Sequence, residues 1–340
     1  MDKTTIEIKQ KISELQKYVE QLSKPTRCLL CGKKMNSFCN SHVVPQFILK
    51  EIADVGMVYY GQSLHEENVF LPTKTGINNA FTFKLICRDC DKKKFANYEM
   101  PEVITDFDKY SFERKNLILS EVAIKTHLSH INTKIQEHNL SLAVYPDIIN
   151  TINRLGISTA YQIDVAEHYD YIRSLTKFRK RTNFPFEILY NKLLDYQTSI
   201  AAQTIISYIY DLNGQQLYNP NDISPTIITR YFYLIIFPYK GKTRVLFYIE
   251  KKNTYLVQQV IDQFYSLSDE EKLHFIFMSL IIYDEQFYIS PKLHETIIKD
   301  KKLTTLYRNI ENDNKGNWHN CKEIMNFKEY KNYLLPSNSF

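Results

Sequence analysis

Ile8, Ile12, Leu15, Val19 and Leu22 recur at steps of four, three, four and three in an otherwise polar N-terminal stretch. Those steps gather the five side chains into one stripe and predict a helix over about residues 3–23, ended by Pro25. The stripe either packs on the helix's own domain or meets a second copy of the chain in a homodimer, and two heptads do not choose between them. After Pro45, "QFILKEIADV" has the spacing of a short helix. "GMVYYGQSLHEENVFLPTKTG" reads as loop with short strands, and "AFTFKLIC" alternates as a strand does. "CDKKKFANYEM" then predicts a helix that Pro101 stops.

From about residue 110 the period changes. "FERKNLILSEVAIKTHLSHINTKIQEHN", "PDIINTINRLG" and "FEILYNKLLDYQTSIAAQTIISYIYDL" follow the helical repeat, the last breaking near "NGQQLYNPND". In "RYFYLIIFPYKGKTRVLFYIEKK" two aromatic and β-branched runs flank "PYKGK", which predicts a β-hairpin. Ser268 and Glu271 open "LSDEEKLHFIFMSLIIY" at capping-box spacing, so a helix starts there. The tail from about residue 310 is polar and loop-like, and Trp318, His319 and Cys321 suggest local packing. The expected fold class is α+β. Its parts are an amphipathic helix (1–25), a cysteine module (26–105) and a larger, mainly helical domain containing a β-hairpin (106–340).

Composition narrows the function. The chain has only 8 Gly and carries neither GxGxxG nor a P-loop pattern, which argues against glycine-rich phosphate loops. No apolar run approaches the roughly 18 residues of a membrane span. The polar N-terminus does not read as a secretory signal, so the expected setting is the cytoplasm with no membrane partner. Residues 1–100 carry 15 Lys+Arg against 11 Asp+Glu, and the remaining 240 carry 28 against 27. The positive excess therefore accompanies the cysteines and points to a polyanionic partner.

Of six cysteines, four form the pairs Cys28–Cys31 ("CLLC") and Cys87–Cys90 ("CRDC"), while Cys39 and Cys321 stand alone. In a reducing compartment this pattern favours a metal site over disulfides. Zinc takes four thiolates in a tetrahedron, and two CxxC turns supply them. Folding of the module would then depend on the ion. Cys39 reads as a small buried hydrophobe rather than a fifth ligand.

The set "CLLCG…SHVVP…LICRDCDKKK" resembles the zinc-bearing branch of the HNH endonucleases, over residues 26–100 only. The match lies at Cys28, Cys31, His42, Pro45, Cys87, Cys90 and Lys94. The resemblance implies a ββα-metal, treble-clef module and a metal-dependent endonuclease that cleaves nucleic acid phosphodiesters, DNA rather than RNA. His42 would be the general base, a role that a neutral imidazole suits near neutral pH. Asp91 would hold a catalytic Mg²⁺ or Mn²⁺ that stabilises charge on the scissile phosphate. Lys92, Lys93 and Lys94 would face the phosphate backbone. Two positions depart from the family. Ser41 stands where an acid or His usually binds the catalytic ion, and Thr82 stands where the middle Asn falls. Glu99, eight residues after Asp91, would lie about two helical turns on and either supplies the missing carboxylate or pairs with a Lys. His42 itself has three readings: general base, structural histidine, or zinc ligand in a site that four Cys already complete. The departures motivate an alternative, a catalytically inactive zinc-finger module that binds nucleic acid or protein.

Two further stretches stand out. His127 and His130, three apart in "THLSHI", read as a solvated helix face. Lys177, Arg179, Lys180 and Arg181 interleave with Phe178 and Phe184, which suits nucleic acid and equally suits a solvated helix end. The C-terminal domain would choose the target, bind a protein partner or restrain the nuclease. By analogy with other nuclease fusions, that organisation suggests restriction or anti-phage defence.

Overall fold

The computed structural model describes residues 3–64, 74–144, 157–179, 185–220, 222, 229–284, 286–313 and 318–336. In chain order the elements are α1 (Lys3–Leu22), β1 (Ser41–His42), α2 (Gln46–Ile52), β2 (Met57–Tyr60), β3 (Lys74–Gly76), β4 (Thr82–Phe83), α3 (Arg88–Lys94), α4 (Glu102–Asp106), α5 (Phe112–Val144) and α6 (Ile157–Phe178). There follow β5 (Phe186–Leu194), β6 (Ile200–Ile206), β7 (Phe232–Tyr239), β8 (Lys242–Glu250), α7 (Gln258–Ser266), α8 (Asp269–Tyr283), β9 (Phe287–Ile289), α9 (Pro291–Ile297) and α10 (Lys301–Asp313). Two compact units divide the chain, each assembled from three segments. One holds Met1–Val43, Thr82–Tyr98 and Ile118–Lys180; the other holds Val44–Phe81, Glu99–Leu117 and Arg181–Phe340. Residues 26–105 thus contribute to both.

In the first unit β1 and β4 pair antiparallel, Ser41 opposite Phe83 and His42 opposite Thr82. The strands are short, and α3 starts soon after β4 with Cys87 at its N-cap. In α5, residues 118–129 are buried at every position. A helix that is buried all round carries no polar stripe, which is why "SEVAIKTHLS" mixes charges and histidines with apolar residues. Val19 of α1 is buried, whereas Tyr18 and Leu22 are exposed.

The second unit is built on a seven-stranded sheet in the order β3-β2-β9-β6-β7-β8-β5, antiparallel at each of its strand pairings among the described residues. The predicted hairpin is β7–β8. Tyr239 pairs with Lys242 across a two-residue turn in which Lys240 and Gly241 have φ of 48° and 78°, the positive angles that a right-twisted hairpin requires. One face of the sheet packs Leu234, Ile236, Val245 and Phe247 with Phe264 of α7 and Phe275 and Ile276 of α8. The capping box forms as expected: Ser268 Oγ accepts from Glu271 N–H, and Glu271 Oε2 accepts from Ser268 N–H.

Three expectations change. "FEILYNKLLDYQTSIAAQTIISYIYDL" is not a helix but β5 and β6. Strand β6 is buried at every position and pairs with both β7 and β9. A central strand covered on both faces reads as a continuous apolar run and loses its period of two. The C-terminal part is still mainly helical among the described residues, but its strands form a larger sheet than the one expected hairpin. The tail also differs, because His319–Glu329 forms 3₁₀ turns that bury Cys321, Ile324 and Phe327. Finally, the helix at the second CxxC ends at Lys94 and does not reach Glu99, so the two-turn spacing from Asp91 to Glu99 does not hold. "PDIINTINRLG" lies outside the described residues. No described helix is long and apolar enough to cross a membrane.

Candidate metal centre

The first CxxC turn is closed by its own backbone. Gly32 N–H donates to Cys28 O at 2.8 Å and Cys28 N–H to Lys33 O at 3.0 Å. Gly32 sits at φ 71°, a left-handed angle that glycine adopts without a Cβ clash. The second pair opens α3. Cys87 N–H donates to Cys28 Sγ at 3.3 Å, so the two turns face each other. Leu29 N–H to Leu85 O and Cys39 N–H to Ile86 O join the same strands of chain.

These contacts bring Cys28, Cys31, Cys87 and Cys90 into one cluster whose sulfurs all lie within 4.8 Å of one another. The Cys31 and Cys87 sulfurs are 3.9 Å apart. A zinc tetrahedron with Zn–S of about 2.3 Å sets its sulfurs roughly 3.8 Å apart, so the four fit that ion. Among the described residues this is the one group of three or more His, Cys, Asp and Glu placed to hold a metal. Cys28, Cys87 and Cys90 are buried and Cys31 is exposed. Burial pushes the Cys28 thiol up, but N–H donors from Cys87, Cys31 and Leu30 offset it and bring it down to about 7. Burial, then hydrogen bonds among the neighbouring sulfurs, push Cys90 up. Four sulfurs this close cannot all carry charge without a cation, and zinc is the cation that this donor set suits.

Asp91 follows the last cysteine but is not part of the cluster. Its carboxylate accepts from Ser41 Oγ at 2.5 Å, from Cys39 Sγ at 3.3 Å, and pairs with Lys125 Nζ at 3.3 Å. The Lys125 side chain is only 1% exposed against 20% for Asp91. Its ammonium also lies 4.9 Å from the Phe95 ring centroid and 5.7 Å from that of Tyr98, within cation–π range. Burial of the Asp91 carboxyl alone would raise its pKa. The Lys125 charge, and then the Ser41 and Cys39 hydrogen bonds, outweigh burial and hold it below the usual carboxylate value. Cys39 behaves as a neutral donor, since burial and then the Asp91 charge push its thiol up to about 11.

His42 is half-buried on β1, directly across from Thr82. Alternation along a strand turns Ser41 and His42 to opposite faces, and directly opposed residues such as His42 and Thr82 share one. Lys92 and Lys93 are exposed on α3, Lys94 is half-buried, and Glu99 belongs to the second unit. Lys177 is exposed. Arg179 is not a free surface cation: its guanidinium pairs with the buried Glu121 at 2.7 Å. Glu121 also accepts from Asn97 Nδ2 and from the N–H groups of Asn97 and Tyr98. Lys180, Arg181 and Phe184 lie outside the described residues.

Sequence reasoning missed Lys125 and Glu121. Both stand in the stretch of α5 that is buried all round, and a charged residue flanked on every side by buried positions requires a partner. His127 and His130 also need correction. His127 is fully buried, and its Nδ1 is 2.9 Å from Nδ1 of His168, itself buried on α6. His127 stacks on Tyr171 with centroids 4.8 Å apart. The pair joins two helices and is not a solvated face.

No protein-family model matches the chain, and neither a curated protein nor a solved structure is found that matches it.

Proposed function

We propose that the first unit is a zinc-organised treble-clef module related to the HNH type, and that it binds nucleic acid without cutting it. The supporting observation is Lys125. In the family that the sequence resembles, the positions of Ser41 and Asp91 flank the catalytic ion. Here Ser41 donates to Asp91, and a buried ammonium takes the place beside the carboxylate. A divalent ion added about 4 Å from that ammonium would meet roughly 8 kcal/mol of repulsion at an effective dielectric of about 20. On this reading zinc is the cofactor and Asp91 is an internal counter-ion. The polyanion is met by surface cations such as Lys92 and Lys93, DNA being the first substrate to try. A reduced zinc–thiolate site belongs in the cytoplasm.

A second reading keeps the endonuclease. It is favoured by His42, half-buried on β1 opposite Thr82, where the resemblance assigns the general base. It requires Mg²⁺ or Mn²⁺ to displace Lys125 from Asp91. Target choice by the C-terminal residues, a protein partner there and a role in restriction or anti-phage defence remain parts of this reading. Homodimerisation through α1 is compatible with both.

The zinc-loaded chain is titrated onto labelled duplex DNA and RNA at several salt concentrations, and incubated with supercoiled plasmid plus Mg²⁺ or Mn²⁺. The binding module shows affinity that falls steeply with salt and leaves the plasmid intact. Metal-dependent nicking that His42→Ala abolishes would replace this reading with the nuclease.

A further inference from the structure

The first unit holds a small, open cleft of about 50 Å³ at the Thr82 side of the β1–β4 pair. Glu20, Ser23 and Lys24 border it from α1 and the turn after it, Thr82 from β4, Lys84 from just beyond β4, and Asn132 and Gln136 from α5. Every residue named is polar. Small-molecule sites are lined mainly by apolar and aromatic side chains, so this lining does not suit a compact apolar ligand. It offers two ammonium groups, two hydroxyls and two carboxamides, set against one carboxylate.

We infer that this cleft seats the sugar–phosphate backbone of a nucleic acid strand, with Lys24 and Lys84 on phosphates and Asn132 and Gln136 hydrogen-bonding along it. The inference rests on the nucleic-acid-binding reading and gives it a place. Three observations carry it. Asn132 and Gln136 are four apart on α5, so their amides rise from one face, and such amides commonly bond phosphate and sugar oxygens. The Lys84–Glu20 pair is 3.4 Å long, with both side chains about half exposed (47% and 53%). An exposed pair of this kind contributes little and yields to a phosphate. Thr82, in the wall, lies opposite His42, so a strand leaving the cleft passes the imidazole. His42 then acts as a contact to that strand.

The test uses full-length zinc-loaded protein, a fluorescent 20-base-pair DNA duplex and a matching single strand. Each phosphate contact contributes about 0.9 to the slope of log K against log salt on duplex DNA. Lys24→Ala with Lys84→Ala is expected to lower that slope by about two and to weaken binding at low salt on the order of tenfold, with zinc content unchanged. Glu20→Gln, which releases Lys84, is expected to tighten binding about two- to threefold. Adenosine monophosphate is the competitor that separates a strand from a free nucleotide, and it should displace the duplex poorly. Unchanged slope and affinity in both variants, with the parent still binding, overturn the cleft assignment alone. Displacement by the mononucleotide at micromolar concentration overturns the strand assignment. Absence of binding by the parent to any nucleic acid overturns the cleft and the broader reading together.

Discussion

At the scale of single residues, Asp91 and Lys125 form an ion pair beside the cysteine cluster's last member, and their burial is unequal. Lys125 is 1% exposed and Asp91 20%. Asp91→Asn leaves an ammonium buried without its counter-charge, a change that costs about 3–5 kcal/mol. Lys125→Met leaves a carboxylate that still has solvent and the Ser41 and Cys39 donors, so about 1–2 kcal/mol is expected. The double variant should cost less than the sum, because no charge is stranded in it. Urea denaturation of the zinc-loaded proteins measures all three. A larger loss from Lys125→Met than from Asp91→Asn would mean that the pair is not the buried counter-ion arrangement described here. A binding titration of the same variants bears on function, since an Asp91 that serves only as counter-ion should leave nucleic-acid affinity intact in the double variant at saturating zinc.

Among elements, α5 and α6 hold two buried histidines that should make the first unit sensitive to acid. Burial lowers His130 to about 3 and holds His168 well below its ordinary value, with neighbouring positive groups adding to the effect. Both are neutral in the folded chain, whereas an unfolded His binds a proton below about 6.5. The unfolded state therefore binds more protons as pH falls from about 6.5 towards 3, and stability declines through that window by up to about 1.4 kcal/mol per pH unit for each histidine. Above pH 7 this contribution is fully present. Stability measured from pH 7.5 to 4.5 should fall, and His130→Gln should flatten the decline by about one proton; an identical slope in that variant would remove His130 from the account. These histidines also mark where sequence reading reaches its limit. The β7–β8 hairpin was legible from Lys240-Gly241 between two β-branched and aromatic runs, and the capping box at Ser268 from spacing alone, because both are local chemistry. The double CxxC was legible for the same reason. Strand β6 was not, since burial on both faces erases the alternation that identifies a strand. The charges and histidines of α5 were not, since what they face is decided by packing against residues distant in sequence. Ser41 was read as a missing ligand, and only its contact with Asp91 shows what it does instead.

Across the whole molecule, the connectivity matters as much as the cysteine cluster. The chain leaves the first unit after Val43, returns at Thr82, leaves again after Tyr98 and returns at Ile118. Cys28 and Cys31 are therefore separated from Cys87 and Cys90 by residues that fold into the other unit, and an ion bound by the four closes a loop that carries β2 and β3 of that unit's sheet. Binding free energy at such a site is folding free energy, of the order of 10–16 kcal/mol for structural zinc. The partners that hold the second CxxC in place come from still further along. Lys125 pairs with Asp91, and Glu121 accepts from Asn97 and Tyr98. A fragment of residues 1–105 keeps every cysteine of the cluster and loses both of these. Outer-shell partners of this kind typically change metal affinity by 10–100-fold. The fragment should bind one zinc but surrender it to a chelator at about 10–100-fold lower concentration than the full chain does, and should melt without the cooperative transition of the intact protein. Equal retention of zinc by the two would show that the cysteine module is self-sufficient, and that α5 holds the module together without supporting the metal.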